Sequence, residues 1–270
     1  GRSAESSGNS FKVVNFNASF IKLPRVYSSD YWSNNLSSSS RTIEKYLSGV
    51  SADVICIQEF FDDSLNSEYS YLNSFRNNGY ESNFLRNPKH DNGVSRGIVT
   101  LSKYPIVNKD KVYLSDNRYN GISGTDIIRN NDTVRVVNVH LESMELYLGN
   151  KGFTQKVKYV LSEWRRTTLA RHYQIKQLNS YIKASPYRLI IVGDFNELPF
   201  SYNLSKLDDG LSNIFANVYT GIGKTLNKSQ IPARIDHQFF SSGLTPIKLE
   251  IRQDITGSDH YPVEGYYSLD

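Results

Sequence analysis

Leu189-Ile190-Ile191-Val192-Gly193-Asp194-Phe195-Asn196-Glu197 decides how the rest of the chain is read. A short apolar, largely β-branched run predicts a buried strand, and Gly193 punctuates its carboxyl end. An acid and an amide separated by one residue stand just beyond it. In α/β sheets, reactive side chains collect where strands deliver them past the carboxyl edge. An ordinary strand running into an Asp/Asn turn has the same local pattern. The meaning of Asp194 and Asn196 therefore depends on how the other strands end.

Upstream, helical spacing of Leu161, Trp164, His172, Ile175, Leu178 and Ile182 predicts a long helix within 153–182, with Arg165, Arg166 and Lys176 pointing elsewhere. Val134 to Leu141 reads as a strand carrying His140 near its end, on the face of Val136 and Asn138. It pairs across the polar tip Arg129-Asn130-Asn131-Asp132 with Asp126-Ile127-Ile128. Gly97 to Ser102 and Val107 to Leu114 flank Lys103-Tyr104-Pro105, which reads as a turn between adjacent strands. Asp53 to Glu59 is a strand whose end delivers a carboxylate, and Phe11 to Asn17 is a strand ending in an amide. Ser33 to Ser40 reads as a loop before a short helix marked by Ile43, Tyr46 and Leu47 and stopped by Gly49. Leu72 and Phe75 mark another helix, closed by Gly79. Downstream, Leu198 to Gly223 is irregular, Arg234 to Phe240 is a strand, and Ser258 to Val263 leads into the last one. No fixed-period repeat or linker interrupts the pattern, so residues 11–270 are expected to form one domain behind a disordered polar tail, 1–10.

Composition excludes several classes. At 270 residues, with 39% hydrophobic and 13% aromatic residues, the chain can bury a sizeable core and is not of the disordered type. A net charge of +4 permits a polyanionic partner, but no Lys/Arg run forms a dedicated basic arm. The single Cys56, in the apolar run Val54-Ile55-Cys56-Ile57, rules out an intramolecular disulfide or a thiolate zinc cluster. No apolar run approaches the ~20 residues of a membrane span. The chain starts at Gly1 with a polar stretch, from which a removed targeting segment is expected.

Polar residues recur at the strand ends: Asn17, Glu59, His140, Asp194, Asn196, Asp236, Asp259 and His260. Each alone reads as a solvated strand end or turn residue. Together they are groups able to bind a metal or move a proton, delivered by several separate strands.

In this order the segments resemble the endonuclease/exonuclease/phosphatase superfamily, which includes deoxyribonuclease I, neutral sphingomyelinases and inositol-polyphosphate 5-phosphatases. The resemblance rests on V-V-N-F-N (13–17), I-Q-E (57–59), L-S-K-Y-P-I (101–106), V-N-V-H-L (137–141), G-D-F-N (193–196), R-I-D (234–236) and S-D-H (258–260). It implies a four-layer α/β/β/α sandwich of two packed mixed β-sheets and a Mg2+-dependent hydrolase acting on phosphoesters, with Mn2+ as the alternative cation. By the same resemblance Glu59 is the main metal ligand, with Asn17 and Asp259 in the metal region, directly or through water. Asp194 matches the residue that orients or deprotonates the attacking water, and Asn196 helps hold the phosphate. His260 matches the histidine on the scissile phosphate with Asp236 as its carboxylate partner, and His140 matches a second histidine near the leaving group.

Phosphoester hydrolysis calls for these residue types. It needs an activated water, in-line attack and neutralisation of phosphoryl charge, and Mg2+ takes oxygen ligands while needing only one or two carboxylates.

Other features carry less. Gly221-Ile222-Gly223-Lys224-Thr225 lacks the glycine a P-loop needs at Val218 and reads as a loop, which the family resemblance implies shapes the rim of the site. Arg165, Arg166 and Arg171 read as a solvated helix face, His237 as facing away from Asp236 across its strand, and His90 and His172 as structural.

The substrate, whether lipid, nucleic acid or small molecule, stays open because specificity lies in the loops. The candidates are 19–40, 86–96, 143–161 and 200–230, with Leu146, Tyr147, Leu148 and Phe153 forming an apolar lip or packing a helix. A non-specific deoxyribonuclease-type endonuclease and a catalytically inactive binding module are the alternatives. The overall style resembles bacterial members, which implies a membrane-anchored or extracytoplasmic protein tethered through a segment outside this sequence; a monomer is expected.

Overall fold

One strand already shows how the layers are built. In β1 (Ser10–Asn17), Phe11 and Val13 point into one apolar cluster while Val14 and Phe16 point into another. Side chains alternate across a strand, so a strand with both faces buried lies between two layers. The computed structural model describes residues 10–19, 36–67, 69–87, 93–116, 118–144, 149, 152–227, 229 and 231–269. The expected tail and His90 lie outside them, apart from Ser10, which opens β1.

From β1 the chain passes through α1 (Leu36–Gly49), β2 (Val54–Asp63), α2 (Tyr71–Asn77), β3 (Glu81–Arg86), β4 (Val94–Ser102), β5 (Ile106–Tyr113) and β6 (Gly121–Arg129). It continues with β7 (Asp132–His140), α3 (Phe153–Lys183), β8 (Arg188–Asp194), β9 (Leu211–Asn213), α4 (Ile214–Val218), β10 (Asp236–Ser241), β11 (Leu244–Ile251) and β12 (Val263–Leu269). The strands form two six-stranded sheets, ordered β11-β12-β1-β2-β4-β3 and β5-β6-β7-β8-β10-β9. Each contains one parallel pair, β1 with β2 and β7 with β8, among antiparallel neighbours.

Three apolar clusters mark the interfaces between layers. Val13, Val54 and Cys56 of the first sheet meet Val136, Ile190, Val192 and Phe240 of the second. Ile43, Tyr46 and Leu47 of α1 and Phe75 of α2 cover the first sheet's outer face over Ile55, Ile57 and Phe60. Ile175, Leu178 and Ile182 of α3 cover the second over Val137, Val139 and Ile191. The result is the four-layer α/β/β/α sandwich with two mixed sheets.

Several sequence expectations need correction. Residues 36–40 of the expected 33–40 loop are the first turns of α1. The Lys103-Tyr104-Pro105 turn does not join adjacent strands. It carries the chain from β4 in one sheet to β5 at the edge of the other. The turn is braced locally, with the Ser102 hydroxyl accepting from Tyr104 N (3.0 Å) and donating to Tyr104 O (2.9 Å), a pattern independent of where the next strand pairs. β2 continues past Glu59 to Asp63, and β3, β9 and β11 had no clear sequence signal. Among the described residues no helix is long and apolar enough to cross a membrane.

Candidate active site

The carboxyl ends of the two parallel pairs lie at the same edge of the sandwich. His140 ends β7, opposite Asp194 at the end of β8, and Asp194 is opposite Asp236, which begins β10. Three neighbouring strands therefore present histidine, aspartate, aspartate in a row. All three follow the parity of Val136, Val192 and Phe240, so they continue the inter-sheet face to the point where the core opens. Gly193 makes this row possible. At its φ of +157° an added Cβ would sit 1.9 Å from Val139 O, so any side chain would force β7 and β8 apart.

The first sheet answers across the gap. Asn17 Nδ2 donates to Asp194 Oδ2 (3.0 Å) and Glu59 Oε1 (3.2 Å), and Asn15 Nδ2 lies 3.4 Å from Asp236 Oδ1. Strict alternation along β2 would aim Glu59 at the helix layer with Ile55 and Ile57. A β-bulge between Ile57 and Phe60 inserts one residue, and Glu59 takes φ +48°. Ile57 and Phe60 both pack beneath the helices, and Glu59 turns to the site. A left-handed glutamate costs roughly 1–2 kcal/mol, which the surrounding pairing holds in place. Asn196 is also left-handed, at φ +51°. Its backbone N–H donates to Asp194 Oδ1 (2.9 Å) and its side-chain amide to Leu141 O (3.0 Å), tying the loops after β7 and β8 together.

His260 precedes β12 and leans over the row. Its Nδ1 is 2.9 Å from Asp236 Oδ2 and its Nε2 is 3.7 Å from Asp194 Oδ2. Burial alone would favour the neutral ring, but Asp236 and Asp194 outweigh it and push the pKa up to about 10. Burial pushes the Asp194 carboxyl up to about 6, with Asp236 adding to the effect while His260, His140 and Asn17 restrain it. His140 Nδ1 lies 3.2 Å from Tyr119 O. Its buried Nε2 has no hydrogen-bond partner and sits 3.8 Å from both Glu59 Oε1 and Asp194 Oδ2. Asp259 joins through two serines: Ser19 Oγ donates to Asp259, and Ser258 Oγ donates to Asn17 O (2.7 Å). All eight residues expected at the site belong to one connected cluster.

The surroundings hold residues that the sequence reading missed. Arg171 is buried rather than solvated: its Nε donates to Glu197 Oε1 (2.7 Å) and its Nη1 to Glu142 O (2.9 Å). Asn203 also donates to Glu197 Oε1 (2.7 Å), and Gln174 accepts from Glu142 N (2.8 Å). α3 thus clamps both loops that leave the row, two residues beyond His140 and three beyond Asp194. A signal existed, because Arg171 lies four and seven residues before Ile175 and Leu178, on the buried face. Arg165 and Arg166 are exposed, as expected. Thr225, in the P-loop-like stretch, braces Asp236: its hydroxyl accepts from Ile235 N (3.1 Å) and Asp236 N (3.2 Å). His237 faces the α3 side among Phe195, Phe215 and Phe239, with Nε2 2.9 Å from Glu197 O, and burial pulls its pKa down to about 4. His172 stacks on Tyr202, away from the row.

In chemical terms the arrangement offers an ionisable carboxylate, a held imidazolium, a second imidazole with a free nitrogen and a bulge-borne carboxylate. The endonuclease/exonuclease/phosphatase family model matches residues 14–260. Comparison with curated proteins gives no match. Among solved structures, the chain is similar to a humanized D. rerio TDP2 carrying 14 mutations, at 16% identity and TM-score 0.67, covering 96% of this chain and 99% of that one. It is also similar to the human Nocturnin catalytic domain with bound sulfate, at 15% identity and TM-score 0.65, covering 97% and 95%. A third is ANGEL2, a 2',3'-cyclic phosphatase in complex with adenosine-2',3'-vanadate, at 15% identity and TM-score 0.63, covering 97% and 96%. At these identities the structural likeness establishes the shared fold.

Proposed function

Since the chain belongs to the endonuclease/exonuclease/phosphatase family, we propose that it is a divalent-cation-dependent phosphoesterase that opens a phosphate ester by in-line attack of an activated water. The observation that carries this reading is Asp194 Oδ2, which has the nitrogens of His140 and His260 at 3.8 and 3.7 Å and accepts from Asn17 at 3.0 Å. A carboxylate so held, with its pKa raised toward neutrality, suits the removal of a proton from water.

His260, kept protonated by Asp236, is a fixed positive donor for the charge that develops on the phosphoryl oxygens. Its orientation is set from behind by Asp236, which Asn15 and Thr225 hold in turn. His140 donates through Nδ1 to the Tyr119 carbonyl. With Nε2 protonated as well, the ring gives that second proton to the leaving-group oxygen, and the proton that Asp194, 3.8 Å from Nε2, takes from water replaces it. A proton supplied there would contribute ~10²–10⁴-fold. Asn196 fixes the loop between these groups and helps to hold the phosphate.

The residues present fit a hard cation. Among the described residues, no lysine or arginine forms an ion pair with Glu59, Asp194 or Asp236, so their only counter-charges are the two histidines. Asp194, Asp236 and His260 offer atoms within 4.8 Å of one another. The 2.9 Å contact between His260 Nδ1 and Asp236 Oδ2 is a hydrogen bond, however, which supports proton work for that trio. Glu59, with Asn17 and Asp259, would hold the cation, and these oxygen donors suit Mg2+, with Mn2+ as a substitute. Bound there, the cation would polarise a phosphoryl oxygen and neutralise its charge.

ANGEL2, a 2',3'-cyclic phosphatase, supports a phosphoester as the substrate class. Hydrolysis of bis-p-nitrophenyl phosphate in heavy-oxygen water tests the proposed attack. The reading expects the label in the phosphoryl product at every turnover; label in the phenol, or a phosphorylated protein intermediate, contradicts it. Plasmid nicking separates a nuclease from a phosphoesterase of lipids or small molecules.

A further inference from the structure

α3 is longer than the sheet it covers. Its buried residues start at Thr167 and run to Ile182, and none lies among residues 153–166. Arg171 is level with Glu142 and Glu197, just beyond the carboxyl ends of β7 and β8. Fourteen residues, or about 20 Å of helix at 1.5 Å per residue, therefore project past the sheet on the side where the site opens. Phe153, Val157, Leu161 and Trp164 follow one another at spacings of four, four and three residues, so they form a stripe. Trp164 lies seven, eleven and eighteen residues before Arg171, Ile175 and Ile182. The stripe is thus the core-facing side of the helix, continued where, among the described residues, no sheet covers it. Phe153 is 82% exposed and Trp164 57%.

The same rim bears apolar groups from two other segments. Leu198 and Phe200, the latter 98% exposed, sit on the loop that Glu197 and Asn203 tie to α3. Ile222 and Ile231 stand exposed on the segment that braces Asp236. Around the stripe, residues 153–166 carry Lys156, Lys158, Arg165 and Arg166 against the single acid Glu163; Arg166 is paired with Glu163 and with Glu142, which leaves Lys156, Lys158 and Arg165 as the positive flank.

We propose that this projecting half of α3, with the Leu198–Phe200 loop, docks on the surface of an anionic lipid bilayer, so that the site opens toward the membrane–water interface. A helix with aromatic and aliphatic groups on one face and lysine and arginine beside them matches the depth profile of that interface. The positive flanks argue against a second copy of this chain as occupant, because two such faces would oppose like charges. They match anionic headgroups, to which each basic residue adds attraction that salt screens.

The test uses the full chain with a Trp32→Phe background, so that Trp164 alone reports. Phosphatidylcholine vesicles containing phosphatidylserine should shift its emission to the blue and allow quenching by brominated lipid. They should also carry the protein in flotation. Omitting phosphatidylserine, raising salt, or combining Lys156→Glu with Lys158→Glu should each weaken binding. Val157→Asp with Leu161→Asp, both at exposed positions, should weaken it about tenfold or more. Unchanged Trp164 emission with anionic vesicles overturns the proposal. So does self-association or capture of a protein partner that Leu161→Asp abolishes while vesicle binding is nil. Turnover of the soluble diester reports separately on the chemistry, so loss of one reading is distinguishable from loss of the other.

Discussion

His260 Nδ1 and Asp236 Oδ2 lie 2.9 Å apart, both buried, on segments 24 residues apart in the chain. The carboxylate does more than orient the ring. Together with Asp194 it keeps the imidazole protonated up to about pH 10. Replacing Asp236 by Asn keeps the shape and removes the charge. The ring should then titrate near its ordinary value of about 6.5. A pH–rate profile should show the alkaline limb of activity moving down by about three pH units, with kcat/KM at pH 8 reduced ~10²–10³-fold. An alkaline limb that stays in place would assign the positive charge to another group.

Asp194, the proposed base, should set the acid limb. Burial raises its pKa to about 6, and a base works only when ionised. The profile for kcat/KM should therefore fall as the pH drops through that region. Asp194→Asn should remove the limb together with at least ~10²-fold of the rate, while thermal melting shows the fold intact.

Much of the proposed site is legible in the sequence, because the apolar runs of β1, β7 and β8 each end in a polar side chain of that site at a register that alternation predicts. Glu59 was found for an incomplete reason. A strand end and a bulge look alike in Ile57-Gln58-Glu59-Phe60, and only the shared packing side of Ile57 and Phe60 reveals the extra residue. β11 was missed because it is an edge strand with mostly polar or partly exposed residues, and so lacks an apolar run. The crossing of Tyr104-Pro105 between sheets depends on the pairing of Ile106 with Ile127 in β6, which no local turn signal encodes. The charge of Arg171 points to solvent and its helical period to the core, and the period is the better guide.

The Arg171–Glu197 pair gives a third prediction. Both groups are buried, so removing one strands the other, a loss of ~3–5 kcal/mol. Arg171→Met should lower stability by about that amount in urea titrations. It should also lower kcat on the soluble diester more than it raises KM, because the loops beyond His140 and Asp194 lose their common brace. Arg171→Lys should recover part of the stability and less of the rate, since one ammonium cannot reach both Glu197 and Glu142 O with Arg's fork geometry.

His237 sets an acid limit on the fold. Its folded pKa of about 4 is below the ordinary value, so between about pH 6.5 and 4 the unfolded chain binds a proton that the native ring refuses. Stability at His237 is fully present above pH 6.5 and is lost as the pH falls through that window, by on the order of 1–3 kcal/mol. Melting curves of His237→Phe should be flatter with pH across it than those of the native chain; parallel curves would place the acid sensitivity elsewhere.

The most direct test is turnover of bis-p-nitrophenyl phosphate by chelated protein, before and after addition of Mg2+, in the native chain, Glu59→Ala and Asp194→Asn. The account predicts negligible turnover without the cation, restoration by Mg2+ in the native chain, and loss of ~10²-fold or more in both folded variants. Undiminished turnover in the chelated protein, or in Asp194→Asn with Mg2+, would contradict it.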